Sequence, residues 1–147
     1  MKKKLDNKIL KKFTFEEIMT IASLVEKEGL DYIDKKNISA VIFNRLNNNM
    51  KLQIDASTIF SMTKGKHKFE RKLKLKDLKY PDSFNTYHIK GLPPSPICYV
   101  SKKTIDIVFE NHRSEYFFYF YDENLKQHIY SKTFKEHKLK LNEYRKK

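Results

Sequence analysis

Tryptophan is missing from this chain of 147 residues, cysteine occurs once, and there are only three glycines and four prolines. The single Cys98 excludes an internal disulfide and leaves the redox compartment open. No stretch rich in proline, glycine and serine marks a linker, and no segment repeats, so the length fits one domain with a real core. No apolar run approaches membrane-spanning length. The opening MKKKLDNKILKKF has a basic start with no apolar core behind it, so it does not read as a signal peptide. As written, the chain is expected not to reach or hold a membrane unaided. Five histidines, at 67, 88, 112, 128 and 137, show no metal-ligand spacing among themselves or with Cys98. There is no glycine-rich phosphate loop, serine elbow or Cys–His pairing, so neither a metal nor another cofactor is expected.

Lysine and tyrosine are plentiful by contrast. Lys and Arg number 31 against 18 Asp and Glu, a formal charge of +13. Such a surface attracts nucleic acid, acidic lipid or an anionic wall polymer; equally, it can be a lysine-rich surface with no such partner. With 39% hydrophobic and 33% charged residues the chain should fold as a soluble globule rather than stay disordered. Eleven phenylalanines and nine tyrosines furnish core and leave rings for a ligand surface.

Thr14 with Glu17 three residues on predicts a capping box, with Phe13 and Ile18 as its hydrophobic staple. Ile18, Ile21, Ala22 and Val25 share one helical face, and Gly29 offers a stop. A second helix is expected from about Asp34 to Asn47, with Ile38, Val41, Ile42 and Leu46 inward. Leu52 and Ile54 alternate like a short strand, followed by a short helix over 56–62 for which Asp55 is a candidate N-cap. Residues 63–84 read as a lysine-rich loop with one turn near Asp77, and 84–97 as an extended, proline-rigid loop. Ser101 caps a helix through Ile105, Val108 and Phe109. Two strands with a turn at 122–124 follow, and a lysine-rich helix from about Thr133 closes the chain. The mixture predicts an α+β fold: a single compact domain with several helices packed on a small, mainly antiparallel sheet.

Within IMTIASLVEKEG the first helix ends on two glutamates. At the helical period Glu26 and Glu28 lie about 160° apart and cannot share a face. Glu28 falls on the flank of Ile21 and Leu24, and Glu26 on that of Met19 and Ala22. Apolar surroundings raise a carboxyl pKa, which a general acid near neutral pH requires. Helical phase therefore prefers Glu28, and two solvated helix-end charges is the competing reading.

TIASLVEKEG, VIFNRLNNNMKLQIDASTIF and FNTYHIKGLPPSPI closely resemble, in order and spacing, the catalytic domain of the YceG-like (MltG) endolytic murein transglycosylases, over about residues 15–144. The resemblance implies a lyase that cuts the bond between N-acetylmuramic acid and N-acetylglucosamine within a peptidoglycan strand. The substrate's own C6 hydroxyl is then the nucleophile and leaves a 1,6-anhydro end, so one carboxylate suffices as acid and then base, unlike the pair of ordinary glycosidases. The family's catalytic glutamate maps onto Glu28. Glu26 matches a supporting charge.

Asn44 and Arg45 match the family's Asn-Arg-Leu block, Asn44 as a cleft hydrogen-bonder and Arg45 as a support at a helix C-terminus. Gln53 and Asp55 alternate to one side, where Gln53 can bond an acetamido group; the N-cap role competes for Asp55. Ser57 and Thr58 carry over as substrate-binding positions, although Ala56 replaces the usual proline. Asn85, Thr86 and Tyr87 match Asn-Thr-Tyr, with sugar stacking and core packing both open to Tyr87. Gly91, Pro93 and Pro94 match a rigid wall of the groove. Beyond them Ser95–Val100 departs from the family pattern. His128 and His137 fall where the family often has histidine and are read as structural or peripheral.

The resemblance further implies glycan strands as the partner, contact with cell-wall synthesis proteins, and the cell envelope at the outer face of the cytoplasmic membrane. Relatives usually carry a membrane helix and a LysM-like domain before this region, neither of which is in this sequence. Residues 1–12 are read as a basic segment and 13–147 as the catalytic domain. The alternatives are a non-catalytic murein binder and a basic nucleic-acid binder; no recognition-helix, RNP-type or zinc signature supports the second, and nucleic acid is not expected.

Overall fold

The computed structural model describes residues 11–146, so the basic segment expected over 1–12 lies almost wholly outside the described residues. Helix α1 (Phe15–Glu28) begins with the expected capping box. The Thr14 hydroxyl accepts the Glu17 N–H at 3.1 Å, and the Glu17 carboxylate accepts the Thr14 N–H at 2.9 Å. Gly29 ends the helix in an extended conformation, not a left-handed one. Its value is steric: a Cβ there would lie 2.2 Å from Lys35 Cγ. That close approach turns the chain directly into α2 (Tyr32–Asn47), which starts two residues earlier than its apolar stripe suggests because Asp31 caps it, accepting the Asp34 N–H at 2.8 Å.

The expected strand at Leu52–Ile54 is absent. Gln53 sits at φ 53°, a left-handed backbone that no strand accommodates. Burial still alternates, Leu52 and Ile54 inward and Gln53 and Asp55 outward, because Thr86 holds the segment from the side. The Gln53 N–H donates to the Thr86 carbonyl at 3.2 Å and the Ile54 N–H to its hydroxyl at 2.8 Å. Helix α3 (Asp55–Thr63) follows, with Ile54 as its cap and no side-chain cap bond, so the expected capping role of Asp55 is not realised. A 3₁₀ turn at Asp77–Lys79 interrupts the lysine-rich loop, and Ser101 caps α4 (Lys102–Phe109) as expected.

Strands β1 (Phe118–Asp122) and β2 (Gln127–Ser131) form an antiparallel hairpin, and α5 (Phe134–Lys146) packs on it. The core gathers on α1, where Ile18, Ile21, Ala22, Leu24 and Val25 are wholly buried against Ile38 and Ile42 of α2, Val108 of α4, and Ile54 and Ile97. Each Ile, Leu or Val among them contributes about 1.5–3 kcal/mol of burial. The expected α+β architecture is thus present: helices packed with one small antiparallel sheet.

Hairpin register decides what reaches the end of α1. Tyr119 pairs with Tyr130 and Tyr121 with His128, which puts these four on one face. Phe118 and Phe120 face α5 instead, in ring contact with Phe134, His137 and Tyr144.

Candidate active site

The two glutamates that end α1 are driven in opposite directions. Glu26 accepts from Lys35 Nζ at 2.9 Å and from the Ser101 N–H at 2.7 Å. Burial alone would raise its carboxyl, but the Lys35 and Ser101 bonds outweigh it and hold the group at about 2. It is a permanently charged tie between α1, α2 and the start of α4. Glu28 has no cation bonded to it among the described residues. Burial pushes its carboxyl above the ordinary 4.5, against the lowering effect of the Tyr119 hydroxyl, which donates to Oε1 at 2.9 Å; the charge of Asp55 adds to the rise.

Glu28 opens into a cleft of about 430 Å³. Phe118, Tyr119, Phe120 and Tyr121 all line it, so both faces of the hairpin contribute. Gln53, Asp55 and Tyr87 form the opposite side, with Arg45, His128, His137 and Arg145 completing the lining. The Tyr87 hydroxyl donates to Asp55 at 2.7 Å, which ties the two cleft residues together; burial, and then the Asp55 charge, push its phenol well up. Rings on a trench interleaved with charged, amide and imidazole groups suit the alternating apolar and hydroxyl surfaces of sugars.

Arg45 is more than a helix-end charge. It is only 8% exposed, and its guanidinium donates to the carbonyls of Phe117 at 2.7 Å and Lys51 at 2.8 Å while lying 5.0 Å from the Phe118 ring centre. It clamps the segment before β1 to the segment carrying Gln53, and so sets the width of the cleft.

Several residues matched as substrate-binding lie elsewhere. Ser57, Thr58, Asn85 and Thr86 are wholly buried. Thr58 donates to Asn85 Oδ1 at 2.7 Å, and Asn85 Nδ2 donates to the Leu78 and Tyr80 carbonyls, each at 2.9 Å. Ser57 and Thr86 share a 2.7 Å hydroxyl bond. This buried network positions Gln53, Asp55 and Tyr87 from behind, without reaching the cleft. Asn44 faces away from it as well, its amide donating to the Ser114 and Tyr116 carbonyls at 2.9 and 2.7 Å. Gly91, Pro93 and Pro94 do not line the cleft either. Gly91 takes φ 84°, and the loop instead delivers Ile97, whose N–H donates to the buried Ser23 hydroxyl at 3.0 Å.

Tyr119 and Asp34 had no site role in the sequence reading, and His128, read there as structural or peripheral, lines the cleft. The His128 Nδ1 lies 2.8 Å from Asp34 Oδ2, and Asp34 also accepts from the Tyr130 hydroxyl at 2.6 Å and the Leu30 N–H at 2.9 Å. Burial would raise the Asp34 carboxyl, but these bonds bring it below its ordinary value. The only available signal was the alternation of YFYDENLKQHIY, which places 119, 121, 128 and 130 on one hairpin face once the turn is located. Chemically, the site offers one carboxyl whose burial favours the protonated form, in a ring-lined trench, with a carboxylate–imidazole pair beside it.

The chain matches the YceG-like family over residues 1–143. It is 33% identical over 126 residues to an endolytic murein transglycosylase of Bacillus subtilis, an alignment covering 86% of this chain and 34% of that protein. It is also 33% identical over 113 residues to an endolytic murein transglycosylase of Streptococcus pneumoniae, covering 76% of this chain and 20% of that one. A crystal structure of a yceG-like protein from Listeria monocytogenes superposes with a TM-score of 0.80 at 28% identity, over 93% of this chain and 42% of the other. The chain therefore spans about a third or less of the curated relatives it matches.

Proposed function

Because this chain belongs to the YceG-like family, we propose that it is the catalytic unit of an endolytic lytic transglycosylase acting on peptidoglycan. The observation that carries the proposal is the divergence of Glu26 and Glu28: within one helical turn, bonded partners hold one carboxyl down at about 2 while burial pushes the other above its ordinary value at a cleft. The names of the curated relatives support the substrate.

Oε1 of Glu28 is engaged by Tyr119, so the proton sits on Oε2 and passes to the glycosidic oxygen leaving the muramic acid ring. Positive charge then builds at the anomeric carbon. The muramic acid's C6 oxygen attacks that carbon, its hydrogen passes to the Glu28 carboxylate left by the first transfer, and a 1,6-anhydro end results. Gln53 bonds an acetamido group, Tyr87 and Phe120 offer ring faces to the sugars, and Asp55 anchors Tyr87. Glu26 and Arg45 hold the frame. The charge of +13 draws in an anionic glycan, at the cell envelope on the outer face of the cytoplasmic membrane. No helix among the described residues is long and apolar enough to cross a membrane.

Mass spectrometry of purified murein digested with this protein tests the reading. New 1,6-anhydro ends support it. New reducing ends would make water the nucleophile and the protein a hydrolase, and binding to murein with no cleavage would make it a binding protein.

A further inference from the structure

Beyond the acid, the cleft holds a second proton-handling group that the proposed function leaves unused. His128 lines the same cleft as Glu28, with its side chain 6% exposed, and the Tyr119 ring whose hydroxyl bonds Glu28 also packs on it. Its ring is held on three sides. Tyr119 and Tyr121 pack edge to face on it at 5.1 and 5.4 Å, and Asp34 binds Nδ1 at 2.8 Å. Asp34 is itself fixed by Tyr130 and the Leu30 N–H, so it has no freedom to follow another partner. An ionised carboxylate on Nδ1 keeps a hydrogen on that nitrogen, so in the neutral ring Nε2 is the acceptor. Nε2 has no hydrogen-bond partner among the described residues and is not among their sealed polar atoms, unlike His137 Nδ1.

We propose that His128 is a second catalytic residue, whose Nε2 receives the hydrogen of the muramic acid C6 hydroxyl as that oxygen closes on the anomeric carbon. The inference rests on the transglycosylase reading and divides between two side chains the work given there to one. Glu28 donates its proton as the bond between the anomeric carbon and the leaving oxygen breaks. The new bond forms from O6 to the anomeric carbon, the O6–H bond breaks, and the proton moves to Nε2. The resulting imidazolium keeps its Nδ1–H on Asp34, returns the other proton through cleft water to the Glu28 carboxylate, and restores both groups. A carboxylate–imidazole pair of this kind is the recurrent means of drawing a proton from a hydroxyl nucleophile.

By holding O6 beside the reacting carbon, His128 also keeps water from that position. The share of anhydro ends among all new ends is therefore the readout, since a merely structural histidine would change the rate but not that share. His128→Phe keeps the ring contacts and removes Nε2; His128→Gln supplies an oxygen that can accept in its place. The Phe variant is expected to lose about 10²-fold in kcat and to yield mixed anhydro and reducing ends, with the Gln variant recovering part of the anhydro share. If both variants fold, by melting temperature, and give the wild-type share, the inference is overturned while the transglycosylase reading stands. If the wild-type protein itself makes no anhydro ends, both fall. If the Phe variant does not fold, the Gln variant decides by the same share: reduced supports, unchanged overturns.

Discussion

The Tyr119 hydroxyl donates to Oε1 of Glu28 at 2.9 Å, and that bond determines which oxygen carries the acidic proton. With Oε1 occupied as an acceptor, the neutral carboxyl carries its proton on Oε2. The same bond stabilises the carboxylate, so it opposes the rise that burial imposes.

Removing it should move the pH profile in a known direction. In Tyr119→Phe the carboxylate loses a donor, the pKa of Glu28 rises further, and the acid stays protonated to higher pH. The alkaline limb of kcat/KM is expected to shift upward, measured by murein solubilisation across a pH series. A limb that stays put or moves down would show that Tyr119 does not act on Glu28.

Glu26→Gln is expected to destabilise the protein while sparing the acid. The variant leaves Lys35 without its carboxylate and weakens the bond to the Ser101 N–H, at a cost of about 2 kcal/mol. The sign with pH follows from a pKa held down near 2 against an ordinary 4.5. A depressed carboxylate contributes stability that is present above the unfolded value and lost as pH falls through the folded one. The gap between wild type and variant should be full at neutral pH and shrink below pH 4.5, read by urea unfolding at neutral pH and at about pH 3. A constant gap would mean the pair contributes nothing as ions.

Asn85→Ala separates a buried scaffold from a sugar contact. The change strands Thr58, the Tyr87 N–H and two carbonyls inside the protein, and should cost about 3 kcal/mol. Unfolding midpoints should fall much further than murein affinity at a temperature where the variant is folded. Unchanged stability with a large rise in KM would restore Asn85 to the substrate.

How much of this was readable from sequence depends on the range of the interaction. The capping box at Thr14 and the cap at Ser101 involve neighbours three residues apart, and both are present where expected. The separation of Glu26 from Glu28 is helical phase, also local. The left-handed Gln53 defeated the strand reading because its conformation is imposed by Thr86, 33 residues on. Ser57, Thr58, Asn85 and Thr86 matched a motif, but a motif match does not distinguish a residue that touches sugar from one that holds its neighbours, and burial does. Asp34 and His128 are 94 residues apart and meet only through hairpin register, so no local pattern announces them.

The most direct test is the yield of 1,6-anhydro muropeptides from purified murein with wild-type protein and with Glu28→Gln. Replacing the buried acid removes the proton donor and also a group that burial penalises as an ion. The variant should lose about 10³-fold or more in rate with a melting temperature equal to or above that of the wild type. Anhydro ends released by Glu28→Gln at the wild-type rate would contradict the account.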